Sequence, residues 1–221
     1  MSHTQHHVAI SYQGFIQQVT RLIALGYRQG LLMTYPLEKC ERWSQTDAKL
    51  IRQYPPLSVS KFVRARRKAT GRLNVQLIRW EQYALILATA GSDDCGITQR
   101  EKFVPVQALK SIAIGTDQEL PIRFLQSNGQ WTTALDKRAC QNVKCYYEAL
   151  AQHAPLRVAQ AEFQQLERDL PSTRGLLAQK KLIRRALVLS ARRAGKRWSA
   201  TDFPVANLKK SYKVFVPATT S

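Results

Sequence analysis

Residues 61–91 read KFVRARRKATGRLNVQLIRWEQYALILATAG, a basic segment followed by two strand-like segments. The basic segment, 61–72, holds six cations and no acid, and its first part, 61–68, is compatible with a helix. The two apolar segments, 75–80 and 83–89, are rich in the branched and aromatic residues that favour strands. We therefore predict a basic arm fixed to a buried β-hairpin, with the rest of the chain packed around this unit.

The N-terminal part of the chain predicts two helices and one short apolar segment. Apolar residues recur with a helical period before Gly26, a residue suited to end a helix: Tyr12, Phe15, Ile16, Val19, Leu22 and Ile23. The segment 30–35 is either a strand or an extended connection. Ser44 and Asp47 form a capping pattern, which predicts that a second helix begins at Ser44.

The second half of the chain first favours strands and then helices. Asn128-Gly129 is a strong signal for a hairpin turn. Strands are predicted at 103–106, 111–114, 120–125 and 130–135. Three helices are predicted at 137–153, 155–170 and 174–194.

The predicted fold class is α+β. We expect a central, mostly antiparallel sheet over roughly 75–135, covered by N-terminal helices and a C-terminal helical layer. The chain divides by composition into an N-terminal helical segment (1–58), a basic arm with the β-sheet core (59–136) and a C-terminal helical layer with a basic tail (137–221). We expect these three segments to form one compact domain.

The helix predicted over 174–194 separates apolar from charged residues clearly. Apolar and small side chains gather on one side of its helical wheel: Leu182, Ile183, Ala186, Leu187 and Ser190. Cations gather on the other side: Arg174, Lys181, Arg184, Arg185 and Arg192. We therefore expect Ile183 and Leu187 to face the core, and Arg184, Arg185 and Arg192 to face solvent.

The chain is strongly basic, since 34 Lys and Arg against 15 Asp and Glu give a formal net charge of +19 over 221 residues. Such an excess is typical of proteins that bind polyanions, and nucleic acid is favoured over a membrane surface. No apolar run has the length of a membrane span, and the N-terminus lacks the apolar core of a signal peptide. Four cysteines without a CxxC pair indicate a reduced, cytoplasmic protein.

Two basic clusters contain the predicted nucleic-acid-binding residues. The first basic cluster is 61–72, and the second basic cluster is 174–213, with twelve cations and one acid. The predicted contact residues are Lys61, Arg64, Arg66, Arg67, Lys68, Arg72, Lys181, Arg184, Arg185, Arg192, Arg193, Lys196, Arg197, Trp198, Lys209 and Lys210. Trp198, which stands among cations, either stacks on bases or packs in the core. We expect the two clusters to form one phosphate-binding surface.

An acidic group supports an alternative prediction. Asp93 and Asp94 follow a strand-like segment, and Glu101 precedes the next one. Metal-dependent nucleases use carboxylates in such places to hold a divalent ion that orients a water molecule. The adjacent pair Glu101-Lys102 lacks the one-residue spacing of such sites, however, and 92–94 also fits an ordinary turn. We therefore predict neither a metal nor another cofactor, and we favour a binding protein over an enzyme.

Short motifs spread over most of the chain carry a resemblance to a known group. They are Asp47-Ala-Lys-Leu-Ile51, Arg64-Ala-Arg-Arg67, Leu77-Ile-Arg79, Leu87-Ala-Thr-Ala-Gly91, Arg100-Glu101, Pro121-Ile-Arg-Phe124 and Ala191-Arg-Arg-Ala-Gly195. In these motifs the sequence resembles small basic bacterial proteins associated with plasmids and other mobile elements. A histidine of that group stands where this chain has Ala90. If that histidine is catalytic, the resemblance implies a member that binds nucleic acid without cutting it.

Taken with the charge pattern, the resemblance predicts a non-catalytic nucleic-acid-binding protein of a plasmid or mobile element, with DNA preferred over RNA. The expected partners are nucleic acid and, within a nucleoprotein complex, other proteins. Two alternatives stay open. One is a metal-dependent nuclease that uses Asp93, Asp94 and Glu101, and the other is an RNA-binding structural subunit of a ribonucleoprotein complex.

Overall fold

The structure is a computed structural model, and it describes residues 7–109, 121–206 and 214–215. In it, the predicted hairpin belongs to a four-stranded antiparallel sheet. The strands are β1 (Gln29–Thr34), β2 (Val75–Trp80), β3 (Tyr83–Ala88) and β4 (Val104–Pro105). They are arranged in the order β2-β3-β1-β4, and β3 pairs over its whole length with both neighbours. The segment 30–35, which the sequence left open, is therefore largely a strand.

Both faces of β3 are covered, which explains why its side chains are apolar without alternation. On one face lies α1 (Tyr12–Ala24), and the ring of its Tyr12 meets the ring of Trp80 with centroids 4.8 Å apart. The other face carries the buried core to which α2 (Trp43–Gln53) contributes Leu50.

The predicted capping role of Ser44 and Asp47 is wrong. α2 begins one residue before Ser44, and Asp47 is 1% exposed within the helix. The carboxylate of Asp47 accepts hydrogen bonds from Arg79 Nε (2.7 Å) and from the Tyr35 hydroxyl (3.0 Å), and it lies 2.9 Å from His7 Nε2. Burial acts to raise the pKa of Asp47, but the contacts with His7 and Arg79 outweigh burial and lower it. A local pattern does not reveal these partners, because they are 32 and 40 residues away.

The basic arm is a helix, α3 (Lys61–Ala69), as predicted. A turn then leads to β2, and Gly91 lies against this turn with a φ of +143°. A Cβ atom at Gly91 would lie 2.6 Å from backbone atoms of Arg72 and Leu73, so only glycine fits without a shift of the backbone. A short helix, α4 (Ile97–Arg100), follows β3.

The later elements are β5 (Ile122–Ser127), β6 (Gln130–Leu135), α5 (Lys137–His153), α6 (Leu156–Asp169) and α7 (Arg174–Arg193). β5 and β6 form a hairpin, and φ values of +49° at Asn128 and +74° at Gly129 agree with the predicted turn. α7 packs against both α5 and β6. Helices and antiparallel strands together confirm the predicted α+β class.

The chain divides into two compact units: 1–110 with 212–221, and 111–211. The boundary at 58 expected from composition runs through the first unit, because β1 shares a sheet with β2 and β3. Similarly, the boundary at 136 runs through the second unit, because α7 packs on β6.

The extent of the sheet also differs from the prediction. β1 joins the main sheet, whereas β5 and β6 form a separate two-stranded sheet in the second unit. The strand predicted at 103–106 is reduced to the edge strand β4, and the strand predicted at 111–114 lies outside the described residues. None of the helices in the described part of the chain combines the length and hydrophobicity that crossing a membrane requires.

Candidate nucleic-acid interface

Two arginines of the first basic cluster anchor α3. The guanidinium of Arg67 donates to both carboxylate oxygens of Asp94, at 2.5 and 2.8 Å, and to the carbonyl oxygen of Leu73 at 2.7 Å. Arg64 donates to a carbonyl oxygen just before α3, and its own carbonyl oxygen accepts from Asn74. Arg67, with a side chain only 12% exposed, is therefore committed to the fold rather than presented to phosphates.

The other cations of the first basic cluster face solvent. Lys61, Arg66 and Lys68 are exposed, and none of them forms an ion pair with another described residue. The side chain of Arg72 is 56% exposed and lies 3.5 Å from Asp94. Since the carboxylate of Asp94 is already paired with Arg67, it neutralises little of the remaining charge. Lys61, Arg66 and Lys68, with Arg72 beside them, are therefore the cations of this cluster that stand open to solvent.

α7 has the predicted core residues with one exception. Ile183 and Leu187 are fully buried, and Ala186 and Ser190 are buried beside them. Leu182 is 51% exposed, contrary to its predicted place on the core side. Adjacent residues are about 100° apart around a helix, so burial of Ile183 turns Leu182 toward the edge of the buried face.

The opposite side of α7 presents a row of cations, here called the α7 stripe: Arg174, Lys181, Arg185 and Arg192. All four are exposed, and spacings of seven, four and seven residues place them on one side of the helix over about 27 Å. Arg174 donates a hydrogen bond to Gln130. Within the described residues, the stripe forms no other side-chain hydrogen bond and no ion pair. Arg193 is exposed next to the stripe, whereas Arg184 is half-buried and lies outside it.

A groove of about 470 Å³ lies between α5 and α7, beside the stripe. Its lining includes Lys144, Glu148, Leu182, Arg185, Leu189 and Arg193. Glu148 pairs with Lys144 at 3.6 Å, which leaves the two arginines as the unpaired cations of the lining within the described chain. The two leucines are about half exposed and give the lining apolar surface. This combination suits a ligand that carries anionic groups together with apolar surface.

The residues after α7 differ in their roles. Lys196 donates to two carbonyl oxygens at the end of α5, at 2.7 and 2.8 Å, and its ammonium lies 4.8 Å from the ring centroid of Trp198. Trp198 is 7% exposed and packs against a neighbouring phenylalanine, so core packing is the role that its position supports. Arg197 is exposed. Lys209 and Lys210 lie outside the described residues.

The acids of the nuclease alternative are engaged by donors of the protein. Asp93 accepts hydrogen bonds from the backbone nitrogen and the hydroxyl of Thr98, at 2.8 and 2.7 Å, and from the backbone nitrogen of Cys95 at 3.1 Å. Burial acts to raise the pKa of Asp93, but these hydrogen bonds outweigh burial and lower it to about 2. Asp93 therefore organises its own turn.

Three potential metal ligands lie close together in this turn. Within the described residues, ligand atoms of Asp93, Asp94 and Cys95 lie within 4.8 Å of one another. Glu101 is not in this group, and it accepts a hydrogen bond from the Tyr54 hydroxyl at 2.9 Å. The soft sulfur of a thiol is a poor ligand for magnesium, which prefers oxygen. The three predicted acids are thus not grouped around one position, and the nuclease alternative gains no support from them.

Two residues of the candidate interface were missed by the sequence analysis. Phe62 is 85% exposed on α3. A signal for it was present, because α3 lacks the apolar periodicity that would bury a phenylalanine. Lys144 lines the groove because α5 packs on α7. This packing between helices that are distant in sequence cannot be predicted from the residues around Lys144.

Comparison with known proteins adds no relative. No protein-family model matches this chain, and no curated protein matches it at a significant level. The resemblance to basic proteins of plasmids and mobile elements therefore stays a prediction that rests on the motifs quoted above.

Proposed function

We propose that this chain is a non-catalytic nucleic-acid-binding protein, with DNA preferred over RNA, that serves a plasmid or another mobile element. The observation that carries the proposal is the α7 stripe, a row of exposed cations beside a basic groove. The preference for DNA and the setting in a mobile element rest on the resemblance of the sequence.

The physical argument concerns charge that the fold itself does not need. Cations held along about 27 Å of one rigid helix repel one another, and this repulsion destabilises the free protein. A polyanion laid along the helix removes the repulsion and gains entropy from released counterions. The cations of α3 are a second set of the same kind. Salt bridges within the described chain use Arg67 and, more loosely, Arg72, and leave Lys61, Arg66 and Lys68 for a ligand.

The first test measures which polymer binds and how strongly binding depends on salt. Gel-shift competition compares duplex DNA, single-stranded DNA and structured RNA. If the complex neutralises about six to eight phosphates of a duplex, log K falls with log salt at a slope of roughly −5 to −7. Structured RNA that outcompetes both DNA forms would favour the ribonucleoprotein alternative. Absence of binding to all three polymers would overturn the proposal.

Charge-removal variants then locate the contacts. Lys181→Ala, Arg185→Ala and Arg192→Ala in one protein should flatten the salt slope by about two to three units. A second variant replaces Lys61, Arg66 and Lys68, and it spares Arg67 because that residue holds α3 in place. The matched control removes three exposed cations elsewhere in the second unit: Lys137, Arg138 and Arg157.

Circular dichroism should show all three variants folded, since the altered side chains are exposed. The control should keep the slope of the wild type, because its cations lie outside the stripe and the groove. Equal effects of the stripe variant and the control would mean that net charge alone, rather than the α7 stripe, drives binding.

A further inference from the structure

Phe62 is the most exposed large hydrophobic residue of the described chain. It lies in the first turn of α3 and is 85% exposed, and its neighbour Val63 is 41% exposed. No residue of α3 is buried, so the helix does not bury an apolar face of its own. Burial of a phenylalanine side chain is favourable, and at 85% exposure Phe62 has nearly all of that gain still to make with a partner.

The surroundings of Phe62 indicate the charge of that partner. Lys61 precedes it, Arg66 follows one turn later on the same side of the helix, and Lys68 is exposed further along. The segment 61–72 contains no acid. An apolar protein surface would have to strip water from these cations without compensation, which is costly. A polyanion with flat apolar groups between its charges compensates them instead.

Hydrogen bonds hold α3, and with it Phe62, in a fixed position. Arg67 joins the helix to Asp94 through two hydrogen bonds, and Asn74 donates to the carbonyl oxygen of Arg64. Gly91 keeps the following turn close to the sheet. An aromatic ring on a fixed helix loses little conformational entropy when it binds a flat partner.

We propose that Phe62 stacks on the base of an unpaired nucleotide while Lys61 and Arg66 contact the flanking phosphates. The face of a base is open to a side chain in a single strand, whereas in a duplex the neighbouring bases cover it. α3 is therefore the element that gives the protein a preference for single-stranded or opened DNA. This inference rests on the proposed function and adds to it the form of the nucleic acid.

The test compares Phe62→Ala with the wild type on a fluorescein-labelled oligothymidine and on a duplex of equal length. Loss of one base–aromatic stack should weaken single-strand binding by about 5- to 150-fold. The salt slope should not change, because no charge is removed. Affinity for the duplex should change less than twofold. The matched control is Leu37→Ala, which removes a 64% exposed leucine outside the basic cluster of the same unit. It should leave both affinities unchanged.

A second variant, Phe62→Trp, keeps an aromatic ring and adds a fluorescent reporter. It should retain single-strand affinity, and its added emission should be quenched by oligothymidine. If Phe62→Ala binds the oligothymidine as tightly as the wild type, or loses duplex and single-strand affinity equally, the stacking role is wrong while the proposed function stands. If the wild type binds no nucleic acid, both fail.

Discussion

At the scale of single residues, Lys180 and Lys181 have opposite environments although they are neighbours. Lys180 is 1% exposed, and its ammonium donates to the carbonyl oxygens of Leu170 (2.9 Å) and Glu167 (3.2 Å) at the end of α6. It also pairs with the carboxylate of Glu167 at 3.4 Å. Burial lowers the pKa of Lys180, and the Glu167 carboxylate opposes that shift. Lys181 is exposed on the α7 stripe.

We predict that Lys180→Met and Lys181→Met separate stability from binding. Lys180→Met should lower the free energy of unfolding by about 1–3 kcal/mol, because the carbonyl oxygens of Leu170 and Glu167 lose the donor that reaches them. Lys181→Met should change it by no more than about 0.5 kcal/mol. It should nevertheless reduce the salt slope of nucleic-acid binding by about one unit. Urea unfolding followed by circular dichroism measures the free energy of unfolding. An equal loss of stability in the two variants would contradict the prediction.

At the scale of elements, α7 is the helix whose orientation determines the candidate interface. Its Leu187 is fully buried, whereas Leu182 and Leu189 are 51% and 43% exposed beside the groove. A rotation of the helix by one residue would bury cations of the stripe. The loss of stability on changing Leu187 to alanine, compared with the loss on changing Leu182 to alanine, therefore tests which side of α7 is buried.

Leu187→Ala should lower the free energy of unfolding by about 2–5 kcal/mol, as truncation of a buried leucine does. Leu182→Ala should change it by no more than about 0.5 kcal/mol, because its side chain already meets solvent. Equilibrium urea denaturation of both variants measures the difference. A larger loss in Leu182→Ala than in Leu187→Ala would show that the buried side of α7 is assigned wrongly.

At the scale of the whole molecule, the acids of the nuclease alternative form internal contacts, whereas most described cations of the two basic clusters do not. The acids of the nuclease alternative hold the fold: Asp93 organises a turn, Asp94 fixes Arg67 and Glu101 accepts from a tyrosine hydroxyl. Most exposed cations of the two clusters have no such partner in the described chain. Binding without cleavage is the behaviour that this division of charge favours.

We therefore predict that purified protein leaves DNA and RNA intact in the presence of magnesium or manganese. Glu101 does not lie with Asp93 and Asp94, and the thiol of Cys95 that completes their group is a poor ligand for magnesium. Denaturing gel electrophoresis of end-labelled substrates measures cleavage. Metal-dependent products that disappear in Asp93→Ala or Glu101→Ala would reverse the ranking of binding over catalysis.

Features that depend on short-range physics can be predicted from the sequence alone. The period of apolar residues predicted α1, α5 and α7 to within a residue or two, and Asn128-Gly129 predicted the hairpin turn because both residues tolerate positive φ. Local composition was also compatible with a helix at α3 and identified the strongly basic segments. Helix periods and turn geometries are properties of a few consecutive residues, and they survive in almost any tertiary setting.

Which charged and aromatic residues are used inside the fold depends on long-range contacts. The sequence predicts a capping role for Asp47 and a phosphate contact for Arg67, yet each is paired with a distant segment. It leaves Trp198 open between stacking and core packing, and it does not distinguish Lys180 from the exposed Lys181, yet Trp198 and Lys180 are both buried. Phe62 is the converse case, since it is 85% exposed on a helix that buries no residue. The physical reason is that a charge or ring is satisfied by whichever partner folding brings within about 3–5 Å. The ion-pair partners of Asp47 and Arg67 lie 27 to 40 residues away, beyond any local pattern.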